Sequence, residues 1–335
     1  MIRTPIVLLA LVTACLEAPP ALPVTTSEQV SGTTALLIAV SPVDESVVWA
    51  SGARGTHVHT TDGGATWHPG TVPGVEYLEF RDVHGVDAST AYLMSAGAAD
   101  SSRVYATRDG GLTWTLQLTN PDATGFFNCM GFWDAARGLV LGDAVDGQLV
   151  VYATADSGTS WNRIPADRMP TALPREVGLA ASGTCLTTLP GGSAWFVTGR
   201  PLARVFQTTD YGLSWAVDTL PISTAGSISF RDSGRGMAFG GESGPGTAST
   251  TDGGRTWVAG NVPPIERGIF GGAYVPGASA AAVAVASPGG LAWSADDGFT
   301  WTVINFNNYW SVGFASPRAG WAVGAEGHIT KLSGF

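Results

Sequence analysis

Six copies of one octapeptide limit what this 335-residue chain can fold into. Each copy has the form Ser/Thr-x-Asp-x-Gly-x-Ser/Thr-Trp, and successive aspartates lie 42 to 54 residues apart. The copies are TTDGGATW (60–67), TRDGGLTW (107–114), TADSGTSW (154–161), TTDYGLSW (208–215), TTDGGRTW (250–257) and SADDGFTW (294–301). A period of this length indicates a stack or ring of similar supersecondary units, such as the blades of a propeller.

Each octapeptide has the chemistry of a tight turn between two strands. Its aspartate can accept hydrogen bonds from nearby backbone amides, its glycine tolerates a positive φ, and its tryptophan can pack between neighbouring sheets. One aspartate per repeat cannot converge with the others on a single metal ion. We therefore assign structural roles to Asp62, Gly64, Trp67, Asp109, Gly111, Trp114, Asp156, Gly158, Trp161, Asp210, Gly212, Trp215, Asp252, Gly254, Trp257, Asp296, Gly298 and Trp301.

The segments between the octapeptides predict seven blades. Apolar second strands centre on Trp49, Tyr92, Leu139, Trp195, Met237, Val283 and Trp321. The last unit ends before any octapeptide, and the extended segment Leu22–Val30 has no partner of its own. If that segment supplies the missing outer strand, the ring closes without an exposed sheet edge. We predict an all-β, seven-bladed propeller of four-stranded antiparallel blades as a single domain over residues 22–335, with six blades as the alternative.

One position of the first strands carries small or polar residues. Asp82, Cys129, Cys185, Ser227 and Ser311 each precede their second-strand residue by ten positions, so we expect them to line the central channel. The two cysteines then occupy equivalent positions of neighbouring blades. A disulfide requires Cα atoms within about 7 Å, and the sequence is compatible with either a disulfide or two buried thiols.

The first 15 residues resemble an export signal with a lipobox. Arg3 precedes the apolar run Ile6–Val12, which is too short to span a bilayer. Cys15 follows small residues, as does the lipidated cysteine of bacterial lipoproteins. We expect residues 1–15 to be a signal peptide with the lipid on Cys15, residues 16–21 to be a tether, and the protein to lie in the cell envelope, facing the periplasm or the exterior. Ordinary secretion is the alternative.

The charge of the chain argues against nucleic acid as a partner. The chain has 17 basic and 27 acidic residues and a net charge of −10. Such a chain does not offer the basic surface that phosphate binding needs. No other stretch reaches membrane-spanning length. We therefore expect membrane attachment only through the lipid anchor, and a monomeric body.

Function is expected on the face opposite the octapeptides. The turns between second and third strands and the connections between blades meet there, and binding residues concentrate in such loops. A protein or glycan partner is expected on this face. The candidate binding residues are Arg81, Asn128, Arg175, Glu176, Arg204, Arg267, Tyr309 and Trp310.

The octapeptide resembles the Asp-box repeat found in bacterial neuraminidases. That resemblance implies a second hypothesis, a glycan-active hydrolase similar to an exo-sialidase. Such an enzyme needs an arginine triad and a tyrosine–glutamate nucleophile pair. The segment Phe80-Arg81-Asp82-Val83 departs from the family motif Phe/Tyr-Arg-Ile/Leu-Pro at its last two positions, and Tyr309 has no identifiable glutamate partner. We assign no catalytic residue.

The sequence predicts neither a metal site nor a cofactor site. His57 and His59 share one face of a strand, yet no Cys, Asp or Glu clusters beside them in the sequence. The glycine-rich segment Gly240–Gly246 precedes a strand, whereas a dinucleotide-binding fingerprint opens a helix.

The mature chain also resembles the seven-bladed photosystem II stability/assembly factor family and its exported bacterial relatives. AGWAVGAEGHI (319–329) and TTDGGRTW (250–257) carry this resemblance. It implies a non-catalytic propeller that holds assembly intermediates. The photosynthetic members carry an arginine-rich patch, whereas the arginines of this acidic chain are scattered. We expect an exported binding or assembly platform.

Overall fold

A computed structural model describes residues 24–240 and 246–335 of the chain. Their strands form seven four-stranded antiparallel sheets, which confirms the predicted seven-bladed, all-β propeller, so the six-bladed alternative is wrong. The expectations for the signal peptide, Cys15, the tether, Leu22 and Pro23 lie outside the described residues.

The strands follow one another along the chain with short connections. They are β1 (Thr25–Val30), β2 (Leu37–Pro42), β3 (Val48–Gly52), β4 (Thr56–Thr60), β5 (His68–Thr71), β6 (Phe80–Gly85), β7 (Ala91–Ser95), β8 (Arg103–Thr107), β9 (Thr115–Thr119), β10 (Phe127–Phe132), β11 (Gly138–Val145), β12 (Gln148–Thr154), β13 (Asn162–Arg163), β14 (Leu186–Leu189), β15 (Ser193–Thr198), β16 (Arg204–Thr208), β17 (Ala216–Thr219), β18 (Ser227–Phe230), β19 (Gly236–Gly240), β20 (Gly246–Thr250), β21 (Val258–Ala259), β22 (Gly271–Tyr274), β23 (Val283–Ser287), β24 (Gly290–Ser294), β25 (Thr302–Asn305), β26 (Tyr309–Ser316), β27 (Ala319–Gly324) and β28 (His328–Ser333). Three short 3-10 turns, at Ala99–Ser101, Ala166–Arg168 and Ala325–Gly327, complete the regular structure of the described residues.

Blades 1 to 6 each consist of four consecutive strands, from β2–β5 to β22–β25, and blade 7 consists of β26–β28 with β1. Strand β1 pairs antiparallel with β28, from Thr25 opposite Ser333 to Val30 opposite His328. The predicted closure by an N-terminal strand is therefore confirmed. Because β1 pairs with β28, the edge of β28 is not free to pair with another chain.

The second strands supply the largest core side chains. All seven residues proposed as second-strand centres lie in second strands and are buried. Trp195, for example, stacks on Phe230 of the next blade with 3.7 Å between ring centroids. The core of the molecule is therefore a series of apolar layers between adjacent blades.

The six octapeptides form the same hydrogen-bonded turn between third and fourth strands. The first Ser or Thr hydroxyl donates to Oδ1 of the aspartate at 2.7–2.9 Å. That Oδ1 also accepts from the backbone amide of the seventh residue at 2.7–3.0 Å. Hydrogen bonds donated to a carboxylate stabilise its ionised form over its protonated form. In Asp252 the hydrogen bonds from Thr256 and Thr250 lower the pKa to about 2. The aspartates are thus engaged within their own turns.

Candidate functional site

The central channel is crossed by a short segment that was not predicted from the sequence. Ser182 Oγ donates to the Phe270 carbonyl at 2.6 Å, and Ser311 Oγ donates to the Ser182 carbonyl at 3.0 Å. Thr184 Oγ1 donates to Ser227 Oγ at 2.8 Å. Residues 182–184 therefore contact blades on several sides of the channel, and we call them the plug.

Glycine is required in the middle of the plug. Gly183 has φ +74°, and a Cβ there would lie 2.5 Å from Asp82 Oδ1 and 3.1 Å from Ala39 Cβ. A side chain would therefore be strained and would collide with blades 1 and 2.

The five residues expected to line the central channel are buried, because the plug and the neighbouring blades cover them. Cys129 and Cys185 form a disulfide with 5.9 Å between their Cα atoms. Asp82 Oδ2 accepts from the Met130 amide at 2.6 Å, and burial raises the pKa of Asp82 well above its usual range. A cavity of about 210 Å³ lies beside Asp82 and is also lined by Ser182 and Gly183 of the plug.

Two cavities lie where the first strands begin, on the face opposite the octapeptides. The first, the mouth groove, has a volume of about 200 Å³ and is lined by Arg81, Leu179, Ala180, Ala181, Gly226, Gly240, Ile269, Phe270 and Trp310. The second, the side pocket, has a volume of about 280 Å³ and is lined by Arg81, Phe126, Asn128, Asp143, Val177, Gly178, Leu179, Ala180 and Arg200. The two cavities share three residues and are therefore neighbours.

Arg81 lies between the two cavities in a fixed position. Its Nε and Nη2 donate to Glu79 Oε2 at 3.0 and 2.6 Å, and its Nη1 donates to the Ala180 carbonyl at 3.0 Å. The rings of Phe270 and Trp310, which also line the mouth groove, meet edge to face at 5.1 Å. The groove thus combines an apolar wall with a guanidinium whose charge is matched by Glu79.

A carboxylate and an amide stand together in the side pocket. Asp143 Oδ1 accepts from Asn128 Nδ2 at 2.8 Å and from the Gly178 amide at 3.0 Å. Burial raises the pKa of Asp143, and these two hydrogen bonds oppose the rise. Asn128 is 1% exposed, and its Oδ1 has no hydrogen-bond partner among the described residues.

Three of the eight candidate binding residues line these cavities: Arg81, Asn128 and Trp310. Arg175 and Arg267 are exposed but line neither cavity.

The remaining candidates, Glu176, Arg204 and Tyr309, are corrected, because they are buried and their polar groups are bonded inside the protein. Glu176 and Arg204 form an internal ion pair at 2.6 Å, and Glu176 also accepts from Thr198 Oγ1 at 2.7 Å. The hydroxyl of Tyr309 lies 2.7 Å from Thr330 Oγ1 inside blade 7. A buried charge needs such a partner, so the pair acts within the protein.

The apolar wall and Asp143 were not predicted from the sequence. Leu179, Ile269 and Phe270 lie in connections between blades, and Asp143 lies near the end of β11. The sequence did contain a signal for the apolar wall, namely large apolar residues in loops, where solvent-exposed polar residues are expected. No sequence signal indicated the burial of Asp143, because that burial depends on Gly178, which lies in a connection distant in the sequence.

Two further surface recesses have polar linings. One, of about 670 Å³, lies beside the β1–β28 closure, and the other, of about 580 Å³, lies between the octapeptide turns of blades 4 and 5. Both are larger than the mouth groove. We nevertheless regard the mouth groove and side pocket as the candidate site, because an apolar wall and an unpartnered buried acceptor meet there.

Within residues 24–240 and 246–335, no three His, Cys, Asp or Glu side chains are placed to hold a metal ion. His57 Nε2 instead accepts from Trp114 Nε1 at 3.2 Å, and His59 stacks on Trp49. Burial lowers the pKa of His57 to about 4, so this imidazole is neutral at pH 7. In the same part of the chain, no helix is long and apolar enough to cross a membrane.

Solved structures share the fold of this chain at low sequence identity. YCF48 bound to D1 peptide is 20% identical with a TM-score of 0.65, and the match covers 94% of this chain and 96% of that one. YCF48 from Cyanidioschyzon merolae is 19% identical with a TM-score of 0.68, covering 92% and 98%. U3-55K is 12% identical with a TM-score of 0.63, again covering 92% and 98%.

No protein-family profile matches the chain, and the curated proteins give no match either. The likeness to solved structures is therefore a likeness of fold.

Proposed function

We propose that this protein is an exported, non-catalytic propeller that binds an extended segment of a protein partner at the mouth groove and side pocket. The observation that carries the proposal is the pair of adjacent cavities of about 200 and 280 Å³ on one face. Small-molecule sites commonly reach about 300–1,000 Å³. Two smaller neighbouring cavities suit two side chains of one chain better than a single compact ligand.

The carboxylates around the site support a non-catalytic role. Glycoside hydrolysis in most families needs two carboxyl groups on either side of the scissile bond, one of them as a proton donor. Around this site Glu79 is paired with Arg81, Glu176 is buried against Arg204, and Asp143 is hydrogen-bonded to Asn128. Tyr309 is buried in blade 7, so it does not offer the nucleophile of a sialidase.

A peptide ligand also agrees with the similarities of the chain. One propeller of the same fold, YCF48, has been solved with a D1 peptide bound. The sequence resembles a family of assembly factors that hold protein intermediates. A protein is therefore the preferred partner, with a glycan as the alternative.

Replacing Trp310 by alanine should weaken peptide binding at least about tenfold, because aromatic anchors dominate such interfaces. The probe is a display library of random nonapeptides, selected on the wild-type protein and then measured by surface plasmon resonance. Leu112→Ala is the matched control, since Leu112 is 83% exposed on the octapeptide face. Equal binding by both variants would place the site elsewhere. Failure to select any peptide, together with turnover of a fluorogenic sialoside, would favour the hydrolase.

We expect the mature protein to be a monomer held at the cell envelope by a lipid on Cys15. The motif around Cys15 supports this, and plain secretion is the alternative. Cys15→Ala should move the protein from the membrane fraction to the soluble fraction, as should globomycin treatment of the wild type. An unchanged membrane fraction in both experiments contradicts the lipid anchor.

A further inference from the structure

The side pocket presents hydrogen-bond acceptors from Asp143 and Asn128. The hydrogen bonds that Asp143 accepts from Asn128 and Gly178 both end on Oδ1, and the residue is only half-buried, so its Oδ2 is open to water or a ligand. Asn128 Oδ1 is buried and has no hydrogen-bond partner among the described residues. Buried polar groups in native proteins are nearly always hydrogen-bonded. One such acceptor beside the Asp143 carboxylate, in one cavity, indicates that a ligand supplies the missing N–H groups.

The arginines at the rim do not neutralise Asp143. Arg81 is paired with Glu79 at 2.6 Å. Arg200 also lines the pocket, yet neither arginine is among the groups that shift the pKa of Asp143. Burial is the largest cause of that raised pKa, and among the described residues no ion pair joins Asp143 to Arg81 or Arg200. A positive group entering the pocket would meet an unpaired carboxylate.

We propose that the side pocket binds a lysine or arginine side chain of the partner, while an apolar side chain nearby in the same segment occupies the mouth groove. Ammonium and guanidinium groups carry several N–H donors and no acceptor, which matches a site that offers Asp143 and Asn128 as acceptors. Their bonds to a carboxylate are charge-assisted and strong. The net charge of −10 would also attract a basic segment at long range. This inference rests on the proposed function and specifies the chemistry of the partner.

A positional-scanning library of acetylated, amidated nonapeptides tests the proposal. The wild-type protein should select Lys or Arg within a few positions of a large apolar residue. Asp143→Asn should keep the apolar preference and lose the preference for Lys or Arg over norleucine by about tenfold, the size expected for one charge-assisted hydrogen bond. Asp146→Asn is the matched control, because it removes the same charge from an exposed position of the same hairpin.

A ligand-side measurement keeps the test independent of folding. If Asp143→Asn has a lowered melting temperature, the change is made in the ligand instead. The basic residue of a selected peptide is replaced by citrulline or norleucine, and binding to the wild-type protein is measured. A tenfold loss of affinity again supports the proposal. Peptides selected only for apolar residues, or equal preference in Asp143→Asn and wild type, overturn it and leave the proposed function standing. If no peptide binds at all, the proposed function itself fails.

Discussion

Replacing Cys129 and Cys185 together by alanine is expected to lower the free energy of unfolding by about 4 kcal/mol. The disulfide joins residues 56 positions apart, and closing a loop of that length restricts the unfolded chain by about this amount. Alanine is the suitable replacement, because both positions are buried and serine would bring a hydroxyl into the core. Equilibrium unfolding in urea provides the measurement.

Wild-type protein in a reducing buffer is the control for this double variant. The reduced protein retains both sulfur atoms and loses only the cross-link. Its free energy of unfolding should therefore fall by most of the amount expected for the double variant. If the reduced and oxidised wild type unfold at the same urea concentration, the disulfide does not stabilise the fold as argued. If the double variant alone is destabilised, the loss comes from packing of the two side chains.

The disulfide also bears on the candidate site. Cys185 directly follows the plug, and Leu179 and Ala180, which line both cavities, precede it. The same link therefore holds the plug against blade 3 and fixes the floor of the groove. Stability and binding surface are coupled through this one short segment.

Much of the fold was predictable because each blade repeats its own local signals. The octapeptide fixes the turn between third and fourth strands through Asp62 and its equivalents, and apolar residues such as Trp195 mark the second strands. The unpartnered N-terminal segment predicted the closing strand. Each of these signals depends on residues close together in the sequence, so no knowledge of the assembled ring was required.

The candidate site was less predictable because distant segments build it. The plug is held by Ser227 and Ser311, which belong to different blades. Glu176 and Arg204 looked like exposed loop charges, and only the folded chain pairs them inside the protein. Asn128 was a candidate binding residue, but its unpartnered Oδ1 could be identified only once Asp143 was placed beside it.

One glutamine bonds across the seam between the last and first blades, which leads to a second large expected effect. Gln29 Oε1 accepts from Trp67 Nε1 at 3.1 Å and from Trp321 Nε1 at 3.2 Å. Its Nε2 donates to the Gly63 carbonyl at 3.2 Å. A side chain of β1 thus joins the first octapeptide turn to the second strand of blade 7.

Gln29→Ala is expected to lower the free energy of unfolding by about 3 kcal/mol, because it leaves two indole N–H groups without their acceptor. Urea unfolding measures this loss. Gln29→Glu should lose less, since a carboxylate still accepts from both indoles, although its second oxygen then faces the Gly63 carbonyl without a proton to donate. Ser27→Ala is the matched control, because Ser27 is exposed on the same strand.

The same variant should also show how the ring is closed. If Gln29 holds β1 in place, Gln29→Ala should expose the edge of β28 more often, and an exposed edge pairs with other chains. Light scattering should therefore show association that increases with protein concentration in Gln29→Ala and is absent in Ser27→Ala. Equal stability and equal association in the two variants would mean that backbone pairing of β1 with β28 closes the propeller without this side chain.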